Sequence, residues 1–479
     1  MRRIKTGIKR AVAILMALML AMTMLVAMPT KAFAAGYPTD YWFDGHYAAS
    51  YSVAPDDTNH ILIITSAAEF ARFAWELHDE GSDCYEGWTV TLVNDIDLSL
   101  YLWYPVDMYG VTLDGQGHQI ARPIVFDADG GYAGLFGFVL HCTIKNLIIM
   151  EPIIDVEYNG GEYSELDCGV IAGYFAGSIR EVYIYDPIVT VRGGALGVFI
   201  GGAVGGLSAY FESDYTMGKI NGVEIHGGKI EFISDGFGGA YIGGIVGANY
   251  DSVIINAAAY GIYIATNSQN GAQVGLLCRG GITGYTSAEE YPEYCIFNCV
   301  STTTFRNNKI TATADYLGGI CGWVNKDSVV NTIYIGDLDS FGLADDGDGD
   351  YLIAFNHKYA TVAAAKAAGI VDTLNDDGVG GGFRAAIETL AAHLGTDYES
   401  AAARFKTWVY KTVLGTPDTP GFGSMNNEEP ALPADPALPG DPVVPPTGDA
   451  NMLAMMLAMS MLAVGAACVV MWRRRQQSA

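Results

Sequence analysis

Gly243-Gly244-Ile245-Val246-Gly247, followed by Ile254-Ile255-Asn256-Ala257-Ala258-Ala259, is one copy of a pattern that recurs through the middle of the chain. The glycine motif reads Ala-Gly-Leu-Phe-Gly at 133–137, Gly-Val-Ile-Ala-Gly at 169–173 and Gly-Gly-Ala-Val-Gly at 201–205. It returns as Val-Gly-Leu-Leu-Cys at 274–278 and Gly-Gly-Ile-Cys-Gly at 318–322. The companion segments begin at Ile144, Ile179, Ile220, Ile254, Ile296 and Val329. Their third positions are Asn146, Glu181, Gly222, Asn256, Asn298 and Asn331, spaced by 35, 41, 34, 42 and 33 residues. A unit of this length built from short strands cannot bury its own apolar face, but stacked units can. The repeat therefore predicts an all-β solenoid. Apolar runs such as Leu147-Ile148-Ile149 are expected to be strands facing a continuous core. Asn146, Asn256, Asn298 and Asn331 are expected to form a structural ladder, each amide bonding along the stack.

The glycine motif resembles the GLUG repeat of bacterial surface proteins. The segments Trp88–Leu98 and Val111–Ile120 resemble the first coils of right-handed parallel β-helices. Together these resemblances cover roughly residues 61–341, and they imply a right-handed parallel β-helix. Ser66-Ala67-Ala68-Glu69 is a capping box preceding Phe70, Phe73, Ala74 and Leu77 at helical spacing, so a short N-terminal capping helix is expected. The β-helix is placed at 61–345, after an N-terminal arm at 35–60. Helical periodicity around Ala363–Ala368, Phe383–Leu394 and Phe405–Val409 predicts a small helical segment over 346–415, a candidate cover for the last coil's open edge. A Pro-rich spacer is expected at 416–446.

The two ends predict location. Arg2, Arg3, Lys5, Lys9 and Arg10 precede an apolar stretch, and Ala32-Phe33-Ala34 supplies a small-x-small cleavage pattern, with Ala32 and Ala34 as its small residues. Residues 1–34 are thus expected to be a signal peptide. At the other end Val444-Pro445-Pro446-Thr447-Gly448 precedes an uncharged span at 452–472, with Arg473, Arg474 and Arg475 opening a basic tail at 473–479. A run of that length crosses a bilayer as a helix, with the basic side cytoplasmic. The whole arrangement, with its motif at 444–449, resembles the sorting signal of Gram-positive wall-anchored proteins, although Val444 stands where that family has Leu. The resemblance implies cleavage by a sortase between Thr447 and Gly448 and attachment to peptidoglycan; a plain membrane anchor is the alternative.

Composition narrows the partners. The chain has 26 basic and 53 acidic residues, a net charge of −27. Both expected cleavages remove mainly basic side chains. Such a surface repels nucleic acid and favours cations and basic or neutral ligands. Of the eight cysteines, Cys468 lies in the apolar span and the other seven cannot all pair. Their apolar surroundings predict small buried hydrophobes.

Three kinds of candidate site stand out. Asp95 and Asp97, two apart in a strand-like segment, would share one face and could form a carboxylate pair for acid–base work, or a solvated strand face. Asp346, Asp348 and Asp350 alternate with Gly347 and Gly349, so calcium is a possible cofactor, against a simple solvated loop. Tyrosine is abundant, at 29 residues. Tyr158, Tyr163, Tyr210, Tyr215, Tyr285, Tyr291 and Tyr294 fall between repeats, where loops on a rigid scaffold carry recognition. These features predict a wall-anchored adhesin or ligand-binding rod for a glycan or a host or matrix protein. The alternatives are a polysaccharide-degrading β-helix enzyme and a structural spacer.

Overall fold

The computed structural model describes residues 37–423, apart from 209–217, 270, 288–294, 309, 326–327, 339–352 and 395. Residues 1–39 form a separate unit, of which only Tyr37–Thr39 are described. The expected signal peptide, the sortase motif with Val444, Pro445, Pro446, Thr447 and Gly448, and the span 452–472 lie outside the described residues. Among those described, no helix is long and apolar enough to cross a membrane.

Two long sheets, of 21 and 10 strands, make up most of the body, and every strand pairing in both is parallel. Successive repeats pair with one another in register: Ile144 with Ile179, Ile179 with Ile220, Ile220 with Ile254, and Ile254 with Ile296. All five isoleucines are fully buried. An aliphatic side chain taken wholly out of water stabilises a fold by about 1.5–3 kcal/mol, so this single stacked row is a large part of the core. The architecture is strand-rich and compatible with an all-β parallel solenoid.

One repeat copy is out of place in the sequence reading. Gly243 pairs with Gly280 and Gly280 with Gly318, while Val246 pairs with Thr283 and Thr283 with Cys321. The copy is therefore Gly-Gly-Ile-Thr-Gly at 280–284, not Val-Gly-Leu-Leu-Cys at 274–278. Thr283 replaces an aliphatic residue and hides the motif. Val274 and Leu277 carry the apolar signal because they point into the core from the strand Gln273–Gly280 just before the corner.

All six third-position residues have positive φ, between 51° and 79°: Asn146, Glu181, Gly222, Asn256, Asn298 and Asn331. Each makes a corner within the first sheet. Asn tolerates this left-handed conformation better than other residues with a Cβ, which explains its recurrence there.

The helix Ala67–Asp79 starts as the sequence predicts, with the Ser66 side chain accepting a hydrogen bond from the Glu69 N–H. The Glu69 carboxylate reaches back one residue further, accepting from Thr65 N at 2.7 Å. Phe70, Phe73, Ala74 and Leu77 enter the main core, and Phe70 stacks on Trp103 at 5.3 Å.

The C-terminal part departs from expectation in two ways. Four short helices are present at Val362–Ala367, Ile370–Leu374, Gly382–Leu394 and Tyr398–Ala402, but Trp408–Val413 and Thr416–Phe422 form an antiparallel hairpin. Residues 416–422 thus belong to the folded body rather than to a spacer. Pro417 and Pro420 are tolerated because a two-stranded sheet consists of edges alone. The segment also lies along the outer face of the first sheet rather than only over its last coil. Val253, Ile255, Phe297 and Val330 face outward and pack on Ile387, Leu390 and Phe405. Tyr260, Val300 and Ile333 do the same against Ile370, Trp408 and Phe422. The last coil's edge in the first sheet is extended by the short strands Ile353–Ala354 and His357–Tyr359.

Candidate functional site

Asp95 and Asp97 are both exposed, and each is held by a partner from the next coil. Asp95 lies 3.2 Å from His118 Nδ1 and accepts from Gln119 N at 3.1 Å. Asp97 pairs with Arg122 and accepts from Ser99 N at 3.0 Å. Partial burial works to raise its pKa, but those bonds hold it below the ordinary carboxylate value. The two carboxylates are thus engaged separately, Asp95 by a histidine and Asp97 by an arginine. Among the described residues no group of three or more His, Cys, Asp or Glu could hold a metal ion. Asp346, Asp348 and Asp350 lie outside them.

Of the tyrosines named from sequence, Tyr285 is corrected: it sits within the strand Thr283–Ser287, only 3% exposed, not on a loop. Tyr158 is half-buried against the core. The Tyr163 side chain and all of Tyr210, Tyr215, Tyr291 and Tyr294 lie outside the described residues.

The asparagines are joined by side-chain bonds over part of the row. Asn256 Nδ2 donates to Asn221 Oδ1 at 2.6 Å, Asn298 to Asn256 Oδ1 at 2.6 Å, and Asn331 to Asn298 Oδ1 at 3.0 Å. Asn146 stands apart and donates to Asp114 Oδ1 at 3.0 Å. The row also holds the C-terminal segment: Asn221 and Asn256 donate to the Arg404 carbonyl, Asn298 to that of Lys406, and Asn331 to that of Leu374.

A different place carries chemistry. Along the strand Ile153–Cys168, Leu166 and Cys168 point into the core, so Glu165 and Asp167 point outward. In the second sheet Asp167 is in register with Tyr132 and Phe199, then Tyr241, Cys278 and Tyr316. In the first sheet a matching column runs Phe138, Tyr174, Gly206, Ala248, Tyr285 and Trp323. The glycine motif turns the chain from one sheet to the other, and the two columns meet on the outside of that corner. Tyr241 and Tyr285 are 5.5 Å apart between ring centres, and Tyr316 and Trp323 5.4 Å. Phe199 meets Tyr250 at 6.3 Å and Tyr132 meets Tyr174 at 6.4 Å.

The aromatic columns leave a gap at Gly206, and Asp167 lies over it. A Cβ at Gly206 would stand 3.2 Å from Asp167 Oδ2. Asp167 is 7% exposed, and its carboxyl has no hydrogen-bonding or ionic partner among the described residues. Burial pushes Glu165 up to about 7. Burial, and then the charge of Glu165, push Asp167 well above its ordinary value. Tyr174 is pushed up to about 12 by burial, opposed by its bond with Ser208 and helped by Asp167. Perturbed acids beside one another among aromatic side chains make this corner the candidate site. Near neutral pH such carboxyls can donate as well as accept hydrogen bonds, while the rings offer flat apolar faces.

The sequence held a signal for this place. The first-sheet column is the residue directly after the last glycine of each motif. With the fifth copy set at 274–278 that column reads Arg279 instead of Tyr285, and the aromatic alignment is lost. Compared with protein families, with curated proteins and with solved structures, the chain matches none.

Proposed function

We propose that this chain is a secreted, wall-anchored bacterial surface protein with GLUG-like repeats. Its right-handed parallel β-helix, closed at the N-terminal end by the helix Ala67–Asp79, would bind an extracellular ligand at the corner between its sheets. The basic-then-apolar start with Ala32 and Ala34, and the Val444–Gly448 motif with its apolar span and basic tail, support export and anchoring through sortase to peptidoglycan. The observation that carries the binding reading is the pair Glu165, half-buried, and Asp167, buried, neither with a partner among the described residues, set among two facing aromatic columns. A protein serving only as a spacer has no need to bury such a pair, because a buried polar group without a partner costs stability.

A second reading is favoured by Glu165 alone. A carboxyl with a pKa near 7 is matched to general acid catalysis, and Asp167 shares its face, as a polysaccharide-degrading enzyme requires. The test is a glycan and matrix-protein array probed with residues 35–447, with the same sample assayed for new reducing ends. Binding lost on Asp167→Asn supports the adhesin. Turnover lost on Glu165→Gln supports the enzyme. Neither binding nor turnover leaves the spacer.

A further inference from the structure

We propose, resting on the reading of this corner as a ligand site, that it takes an alkylammonium group. Glu165 and Asp167 project outward from one face of one strand, and Asp167 is more than nine-tenths buried with no partner among the described residues. Two carboxyls placed so are short of a positive charge. The surrounding groups among the described residues do not supply one. Asp107 and Tyr132 approach from the preceding coil, and Tyr174 and Cys168 from the same coil. Tyr241, Tyr250 and Tyr285 approach from the following coils, with Cys278 beside Tyr241. All are acidic or neutral.

The rings then select the kind of cation. An ammonium over the face of a tyrosine is attracted by the ring quadrupole, by about 0.5–1 kcal/mol when exposed and about 2 or more when desolvated. Half-buried Tyr132, Tyr174 and Tyr250 lie near enough to Asp167 to feel its charge, and Tyr132 and Tyr250 that of Glu165 as well. A bare divalent metal fits poorly, since two carboxyls and a set of tyrosines held in the phenol form give too few anionic oxygens. An alkylammonium matches both halves, its charge to the acids and its methylene or methyl groups to the rings. The net charge of −27 raises the local concentration of any cation near the surface. The same chemistry occurs in a lysine side chain, an amino sugar and a quaternary ammonium headgroup.

Binding of a cation here must release protons, because a positive charge beside Glu165 and Asp167 favours their ionised forms. The test titrates the ectodomain, residues 35–447, with butylammonium, tetramethylammonium and glucosamine, and with butanol and glucose as neutral matches. Proton release is followed in weakly buffered solution. The expected result is saturable binding of at least one ammonium probe with proton release, at least tenfold weaker at pH 5 than at pH 8. Glu165→Gln and Asp167→Asn should each weaken it at least tenfold with the fold intact by circular dichroism. The preferred probe separates the sources: butylammonium for lysine, glucosamine for an amino sugar, tetramethylammonium for a headgroup. Equal binding of the neutral matches, binding untouched by either amide variant, or no saturable binding overturns the proposal. If the array finds a neutral glycan lost on Asp167→Asn while every ammonium fails, the site stands and this assignment falls; if both fail, both fall.

Discussion

Lys406 Nζ lies 2.7 Å from Glu181 Oε1, across 225 residues of sequence, with the lysine side chain 2% exposed. The same residue is tied by its backbone: its N–H donates to Asn256 Oδ1 at 3.1 Å and its carbonyl accepts from Asn298 Nδ2 at 3.0 Å. Lys411 repeats the device with Glu224 at 2.7 Å. The C-terminal segment is thereby stitched along the corners of the first sheet.

Removing one member of a buried pair strands the other. Glu181→Ala should cost about 3 kcal/mol, at the lower end for buried pairs because the glutamate is partly solvated. The loss should fall first on residues 404–423. Limited trypsin digestion should cut after Arg404 and Lys406 in the variant well before it cuts the solenoid. Loss of the whole fold together, with no earlier C-terminal cleavage, would show that the segment is not a separable unit.

Asn298 combines a backbone role with a bonding role, and two substitutions separate them. Its φ is +54°, and its side-chain oxygen accepts from Asn331 and from the Trp408 indole N–H. Asn298→Gly keeps the corner easy and removes the bonds; Asn298→Ala removes the bonds and adds left-handed strain of about 1–2 kcal/mol. Chemical denaturation should therefore rank wild type above the Gly variant and the Gly variant above the Ala variant. Equal stability of the two variants would deny the backbone role.

Much of this was legible in the chain. The Asn and Glu positions gave the repeat length, because a left-handed corner must recur once per coil. The strands' inward rows were plain from Ile220, Ile254 and Ile296. The docking of the C-terminal segment was also written, but in outward positions that were not compared. Asp114, Lys145 and Arg180 occupy the column that later reads Ile255, Phe297 and Val330, so the outer face turns apolar where it is covered. The acid–aromatic corner was missed because Thr283 broke the apolar motif and shifted the column. A single strand-borne Glu-x-Asp also looks solvated until the facing column of rings is known.

Gly243 tests the corner itself. A Cβ there would overlap the Val246 carbonyl and crowd that of Ile282. Neither is a flexible side chain, so the sheet-to-sheet turn has to move. Gly243→Ala should cost about 3 kcal/mol or more, at the strained end of single substitutions. Gly415→Ala, in the open hairpin turn with nothing near its Cβ, should cost only its left-handed strain of about 1–2 kcal/mol. Thermal unfolding of the two variants gives the order, and a milder effect at Gly243 would mean that the corner is soft.

Glu165 gives the protein a pH dependence of definite sign. Its pKa rises from 4.5 unfolded to about 7 folded, so between those values the folded state holds more protons than the unfolded state. Stability from this group is fully present below pH 4.5 and is lost as pH rises through about 7. At about 1.4 kcal/mol per pKa unit the full swing is at most about 3 kcal/mol. Burial and the charge of Glu165 also push Asp167 above its ordinary value, so the quantity to measure is the difference between wild type and Glu165→Gln. Urea unfolding at pH 4.5, 6 and 7.5 should show the amide variant gaining on wild type as pH rises, because it keeps a neutral side chain throughout. A constant difference across that range would mean that Glu165 titrates normally and that its carboxyl is open to water.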